Sequence, residues 1–210
     1  MLEYTEYTKM LIGLIAIVNP IGAIPIYISL TSNIKQTEES NITRTTVFAV
    51  FLILMSSLLI GESILTFFGI TISSFRVAGG ILILLMAISM MHAKTSETMR
   101  TKEEAKESEE MDSISVVPLA IPLLAGPGAI STIILDAHKA TGIGHYLLIG
   151  LIIFATCGVL FLAFKSVPYI SKYISQTGVN VFTRIMGLIL AAISIEFIAN
   201  GIKGLFLSAT

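Results

Sequence analysis

The chain of 210 residues is 54% apolar and only 13% charged, with a mean hydropathy of +0.88, which lies far outside the composition of soluble domains. Its formal net charge is −1, and no basic run tracks phosphates, so nucleic acid is set aside as a partner. The composition is that of an integral membrane protein, with the lipid bilayer as its solvent.

In chain order, apolar stretches fall at 8–30, 45–68, 74–92, 115–136, 145–166 and 182–206, close to the roughly 17 to 25 residues that cross hydrocarbon. Glu3 and Glu6 precede the first stretch where a signal peptide would carry basic residues, so it reads as a retained span. That span is interrupted near its middle by Asn19-Pro20-Ile21-Gly22-Ala23-Ile24-Pro25. Asn19 suits the cap of a new half-helix and Pro20 its first position, while Pro25 lacks the N–H that would engage the Ile21 carbonyl. The second span carries Glu62 near its outer end, beside Gly61 and Ser63, where it reads as an interfacial carboxylate.

The third span opens on Arg76-Val77-Ala78-Gly79-Gly80-Ile81-Leu82. Residues 94–112 then form a Glu-rich polar stretch, read as a solvated linker. The fourth span is interrupted at Ala125-Gly126-Pro127-Gly128-Ala129-Ile130-Ser131, where Gly126 and Pro127 take the cap and first-position parts. Pro118 and Pro122 weaken the half before it. Asp136, His138 and Lys139 at its exit read as a solvated helix end. Cys157, the only cysteine, excludes an intramolecular disulfide and is expected to pack as a small apolar side chain in the fifth span. The sixth span begins Arg184-Ile185-Met186-Gly187-Leu188-Ile189-Leu190 and holds Glu196 more than ten residues in.

The two interruptions lie 106 residues apart and the two Arg-led segments 108 apart. Two matches in order at nearly one offset indicate a duplication. Each half has three spans, an odd number, so the second half enters the membrane from the opposite side. The expected fold class is therefore all-α: six transmembrane helices as two inverted three-helix repeats, with the first and fourth helices broken at mid-membrane. Residues 1–93 form the first repeat, 94–112 a charged cytoplasmic linker and 113–210 the second repeat. Lys35, Arg44, Lys94, Arg100, Lys102, Lys106, Lys165, Lys172 and Arg184 fall on one side, against Lys9, Arg76, Lys139 and Lys203 on the other. This asymmetry predicts a multi-pass cell-membrane protein with both termini outside and loop 93–113 cytoplasmic.

Two half-helices starting near the bilayer centre bring free N–H groups and positive dipole ends together, which suits a small carboxylate without a buried Arg. Paired interruptions in corresponding halves are a transporter's signature, set against the plainer reading that the prolines only kink two helices for packing. An ionisable group deep in a span is a functional candidate by default, which ranks Glu196 first and Glu62 second as proton-coupling groups. The counterpart of Glu196 in the first half is Ile88, so such a role would belong to one half only. His92, His138 and His145 show no metal-ligand spacing, and no nucleophile elbow or P-loop is present. Neither a metal, a cofactor nor catalysis is expected.

With these two interrupted segments, and Ala120-Ile121-Pro122-Leu123-Leu124 leading into the second, the chain resembles the MarC family of integral membrane proteins along its whole length. Members of the SnatA type transport small neutral amino acids such as glycine and alanine. The resemblance implies that activity, driven by a cation gradient with the proton as the expected ion. Carried over by motif, the substrate-facing positions are Asn19, Pro20, Gly22 and Pro25 with Gly126, Pro127, Gly128 and Ser131. The expected partners are a small zwitterionic amino acid and the bilayer, with a homo-oligomer left open. The alternatives are an exporter of amino acids or other small metabolites, and a non-transporting membrane scaffold or sensor.

Overall fold

The computed structural model describes residues 2–31, 36–92, 124–170 and 176–207. These residues form helices α1 (Tyr4–Val18), α2 (Pro20–Thr31), α3 (Gln36–Phe67), α4 (Ile72–Met91), α5 (Pro127–Ala137), α6 (Ile143–Ile170) and α7 (Gln176–Leu207), with no strand among them. Tyr4–Ile24, Glu39–Phe67, Ile72–Met91, Ile143–Tyr169 and Asn180–Phe206 are each long and apolar enough to cross a membrane, and α5 is a shorter apolar helix. Five of the six expected spans are thus accounted for, with α5 as the second part of the fourth. The linker at 94–112, Pro118 and Pro122 lie outside the described residues.

Two helices run further than the apolar pattern predicts. Helix α3 begins at Gln36 and α7 at Gln176, where hydropathy alone starts the spans at 45 and 182. The first turns of both are polar, and a polar helix end extends past hydrocarbon without breaking its backbone ladder.

The turn between α3 and α4 is fixed by local chemistry. Gly69 takes a φ of 67°, Gly69 N–H donates to the Thr66 carbonyl and Ile70 N–H to the Leu65 carbonyl, a Schellman ending that satisfies carbonyls α3 would otherwise leave free. Thr71 then caps α4 by accepting from Ser74 N–H at 3.1 Å.

Helices α1 and α5 are the inner elements. The buried face of α1 runs through Tyr7, Met10, Leu14, Ile17 and Val18, and α5 is buried at nearly every position from Gly128 to Ala137. Helix α5 packs against α1, α3, α4 and α6. Around this pair, α3 pairs with α6 and α4 with α7, and their outer faces expose Phe48, Leu59, Leu147, Leu151 and Leu188, as a lipid-facing surface requires. Cys157 is buried in the core as a free thiol.

The closest approach is between α4 and α7, and glycine makes it possible. A Cβ on Gly80 would lie 3.0 Å from the Ser194 carbonyl oxygen, one on Gly187 3.0 Å from that of Ala87, and one on Gly201 2.9 Å from that of Ser73. These neighbours are backbone atoms, which cannot turn aside as a side chain can. Because lipid tails remove the hydrophobic drive between helices, such small-residue contacts carry the association. Gly79, next in sequence, faces Ser131 of α5 instead.

We expect Gly80→Val to destabilise the fold by about 1–3 kcal/mol through overpacking, read as a lower thermal midpoint in detergent. Gly158→Val, where a Cβ meets nothing within 4 Å, should leave the midpoint essentially unmoved.

Candidate functional site

Asn19 separates α1 from α2 in the left-handed region, at φ 49° and ψ 63°, a conformation that Asn tolerates better than other side-chain-bearing residues. Its N–H donates to the Ile15 carbonyl at 2.9 Å, closing α1, and its own carbonyl accepts from Ala23 N–H at 3.2 Å, opening α2. The side-chain Oδ1 accepts from Gly22 N–H at 3.2 Å, the bond expected of an N-cap three residues before its donor. Pro20 occupies the first helical position, where its missing N–H leaves nothing unpaired.

With Oδ1 engaged, the amide nitrogen of Asn19 is left to face Met90 Sδ at 3.7 Å on α4. A thioether is a weak acceptor, and Asn19 is only 6% exposed. The residue therefore presents buried donors, which suit a carboxylate better than an ammonium group.

Gly126 caps α5 in extended conformation without a side-chain bond, and Pro127 is its first residue. The first backbone bond of α5 runs from Ile130 N–H to the Gly126 carbonyl at 3.1 Å, so the Gly128 and Ala129 N–H groups have no helical acceptor. Gly128 lies between two core side chains: a Cβ there would meet Ile83 Cγ1 at 2.9 Å and Ile17 Cγ2 at 3.4 Å. Space beside Gly128 is thus occupied by packing, and a bulky substitution would disturb the core as well as any ligand. Ser131 is buried against Gly79, and Thr132 donates to the Gly128 carbonyl at 2.9 Å.

Helix α4 links the two helix starts, since Ile83 reaches Gly128 and Met90 reaches Asn19. Seven residues of helix rise about 10 Å, so both starts lie within two turns of each other along α4. Asn19, Pro20, Gly22, Gly126, Gly128 and Ser131 are brought into one region around it. An apolar cavity of about 620 Å³ between α1–α2, α6 and α7 also reaches Asn19 and Pro20, with Ile21, Leu162, Phe182 and Met186 in its walls.

The two carboxylates singled out for proton coupling are elsewhere. Glu62 is part-exposed at the end of α3 and hydrogen-bonds His138 Nδ1 at 2.9 Å, beyond the end of α5. Glu196 is exposed on α7 and close enough to Lys9 to influence its charge. Both belong to the end of the molecule that carries the start of α1, and neither is brought to the interruptions.

One reading is corrected at that end. Asp136 is not on a solvated helix end: it is 6% exposed and pairs with Lys139 at 2.7 Å, because the helices around α5 cover its last turn. Beside it His145, at 0% exposure, hydrogen-bonds the Asp136 carbonyl through Nε2 at 2.9 Å and Tyr7 Oη through Nδ1 at 2.8 Å. Neither Tyr7 nor the contact of His145 with the end of α5 stands out in the sequence. The signal was the helical stripe: Tyr7 continues the spacing of Met10, Leu14 and Ile17, and His145 that of Ile149, Ile152 and Ile153. Among the described residues no group of three or more His, Cys, Asp or Glu could hold a metal ion.

Several apolar helices of spanning length around a buried interior define a multi-pass integral membrane protein. The model of the MarC family integral membrane proteins matches residues 4–206, and the chain belongs to that family. It is 46% identical over 204 residues to the UPF0056 membrane protein BU267 of Buchnera aphidicola, covering 97% of this chain and 95% of that one. It is 44% identical to the UPF0056 membrane protein YhcE of Escherichia coli, over 97% of this chain and 95% of the relative. Identity to the UPF0056 membrane protein YvbG of Bacillus subtilis is 40%, over 97% of both chains. No solved structure matches the chain.

Asn19→Ala should lower stability by about 1–2 kcal/mol through the lost cap, with a further cost from placing a Cβ residue other than Asn in the left-handed region. Asn19→Gly, which relieves the second cost, should recover part of the loss in a thermal unfolding comparison of the two variants.

Proposed function

We propose that the protein is a secondary transporter of small neutral amino acids, of the glycine and alanine class, working by alternating access with proton coupling. The observation that carries this reading is the pair of helix starts joined by α4, each offering donors in the interior: the Asn19 amide at one, and the Gly128 and Ala129 N–H groups at the other. Donors without strong acceptors, at positive helix ends, recognise a carboxylate in a low-dielectric interior. Ile83 and Ile17 fill the space beside Gly128, so only a small ligand, admitted as they give way, would fit between the starts. The ligand's ammonium group would then find backbone carbonyls, among them that of Ile21, which Pro25 cannot engage.

The packing supports inverted three-helix repeats with a discontinuous helix in each. In such an arrangement α1 with α2, α3 and α4 correspond to the fourth span with α5, α6 and α7. The pairing of α3 with α6 and of α4 with α7 is what a two-fold relation between halves would give. Substrate would sit at the repeat interface and be exposed to either side by rocking of one repeat on the other. The excess of Lys and Arg supports termini outside and a cytoplasmic linker.

The test is uptake of radiolabelled glycine by purified protein in liposomes, with a proton gradient imposed in each direction and then collapsed by an uncoupler. We expect accumulation that vanishes with the gradient. Asn19→Asp keeps a capping side chain of the same size but replaces the donating amide with a carboxylate, so glycine uptake should fall by at least about tenfold, the scale of a charge-assisted hydrogen bond. Unchanged uptake by folded Asn19→Asp would remove this site. No movement of amino acid in either direction would leave another solute or the scaffold reading.

A further inference from the structure

The transport reading uses the middle of the molecule, yet the most completely buried ionisable side chain described lies at one end. His145 is 0% exposed. It stands in the first turn of α6, reaches back across the connecting turn to the last turn of α5, and forward to Tyr7 of α1. Both ring nitrogens are engaged, and their partners fix the tautomer. The Asp136 carbonyl can only accept, so Nε2 carries the hydrogen; Nδ1 then accepts from the Tyr7 hydroxyl. Tyr7 Oη in turn faces the Leu2 N–H at 3.4 Å. The neutral imidazole therefore satisfies every group in the chain.

A second proton disrupts this arrangement. It would attach at Nδ1, turning an acceptor into a donor, and the Tyr7 hydroxyl hydrogen would lose its partner. The imidazolium would also be a buried charge, which needs a counter-charge or water. Its surroundings are largely spoken for. From α5 the Asp136 carboxylate is held by Lys139 at 2.7 Å, and His145 itself and then Arg76 of α4 act on the same carboxylate. From α3 Glu62 is engaged by His138 of the connecting turn. From α1 Glu6 pairs with Lys9, and α6 itself contributes Tyr146 beside the ring.

We propose that His145 is a pH-sensitive latch, neutral while it holds the ends of α1, α5 and α6 together and protonated when those ends part. The inference rests on the transport reading and makes opening toward the side of the termini depend on acid there. In the step, water on that side delivers a proton to Nδ1, the Tyr7–His145 bond opens, and the imidazolium is solvated in the gap. Reclosure returns the proton from Nδ1 to the same water and restores the Tyr7 hydroxyl as donor, so the step gates the site without carrying a proton across the membrane.

Two measurements separate this inference from the reading beneath it. The first needs no substrate: in a Cys157→Ala background, Ala137→Cys places a thiol at a position now 3% exposed beside the latch, and its labelling by a water-soluble thiol reagent is followed from pH 8 to 5, normalised to denatured protein at each pH. We expect labelling to rise by roughly tenfold in acid as the latched population shifts. His145→Gln should remove that pH dependence, and Tyr7→Phe should raise labelling at pH 8 by roughly fivefold, the effect of one lost hydrogen bond. The second is glycine exchange in liposomes at equal pH on both sides, compared between pH 8 and 5: its rise in acid should be lost in His145→Gln, while exchange at pH 8 stays measurable.

The same rise of exchange in acid in His145→Gln would overturn the inference and leave the transport reading standing. Labelling in Tyr7→Phe identical to the parent would also overturn it, even if His145→Gln failed to fold. Expected labelling in a protein that moves no amino acid would keep the latch and overturn the transport reading.

Discussion

Backbone polar groups without partners cannot sit in hydrocarbon, and this constraint shapes the interior. The chain stops and restarts a helix at Asn19 and starts another at Pro127, and each event frees backbone groups. Asn19 reduces the cost by closing α1 with its N–H, opening α2 with its carbonyl and capping it with Oδ1. What remains must be enclosed by protein. Helices α1 and α5 are therefore the inner pair, and α3, α4, α6 and α7 surround them with apolar faces turned to lipid.

That enclosure depends on how closely the outer helices can approach. Gly79 and Gly80 are neighbours in sequence but serve different partners, one admitting Ser131 of α5 and the other the backbone of α7. Drawn between both, α4 can place Ile83 against Gly128 and Met90 against Asn19. The donors at the two helix starts are thus brought near one another by the packing of α4, whose contacts there are Ile83 and the Met90 thioether.

Five of the spans and the helix starts at Pro20 and Pro127 are legible in the sequence because their causes are local: runs of apolar residues, and Asn-Pro or Gly-Pro pairs that punctuate them. The cap at Asn19 is legible for the same reason. What escapes is position around a helix rather than along it. Glu196 is deep in its span by count, yet the buried stripe of α7 passes through Thr183, Gly187, Leu190 and Ser194. Two residues beyond Ser194 is a turn of about 200°, which carries Glu196 to the outer face. Asp136 escapes for another reason. Its burial depends on which helices surround the end of α5, information that is spread over four other elements.

The two ends of the inner pair are closed by different chemistry. Near the start of α1, Tyr7, His145 and the Asp136 carbonyl hold three elements through a ring that can change its charge. Toward the end of α2, Tyr27 stacks on Phe164 with ring centroids 4.4 Å apart and shares a 2.7 Å hydrogen bond with Thr43, all side chains that stay neutral near pH 7. In the proposed alternating cycle both closures must open in turn, but only the first has a state that proton concentration selects. A ligand shifts an equilibrium only through its differential affinity for the two states. For the proton, that difference would lie almost entirely on one side of the membrane, so that proton supply there sets how often that gate opens while substrate alone governs the other.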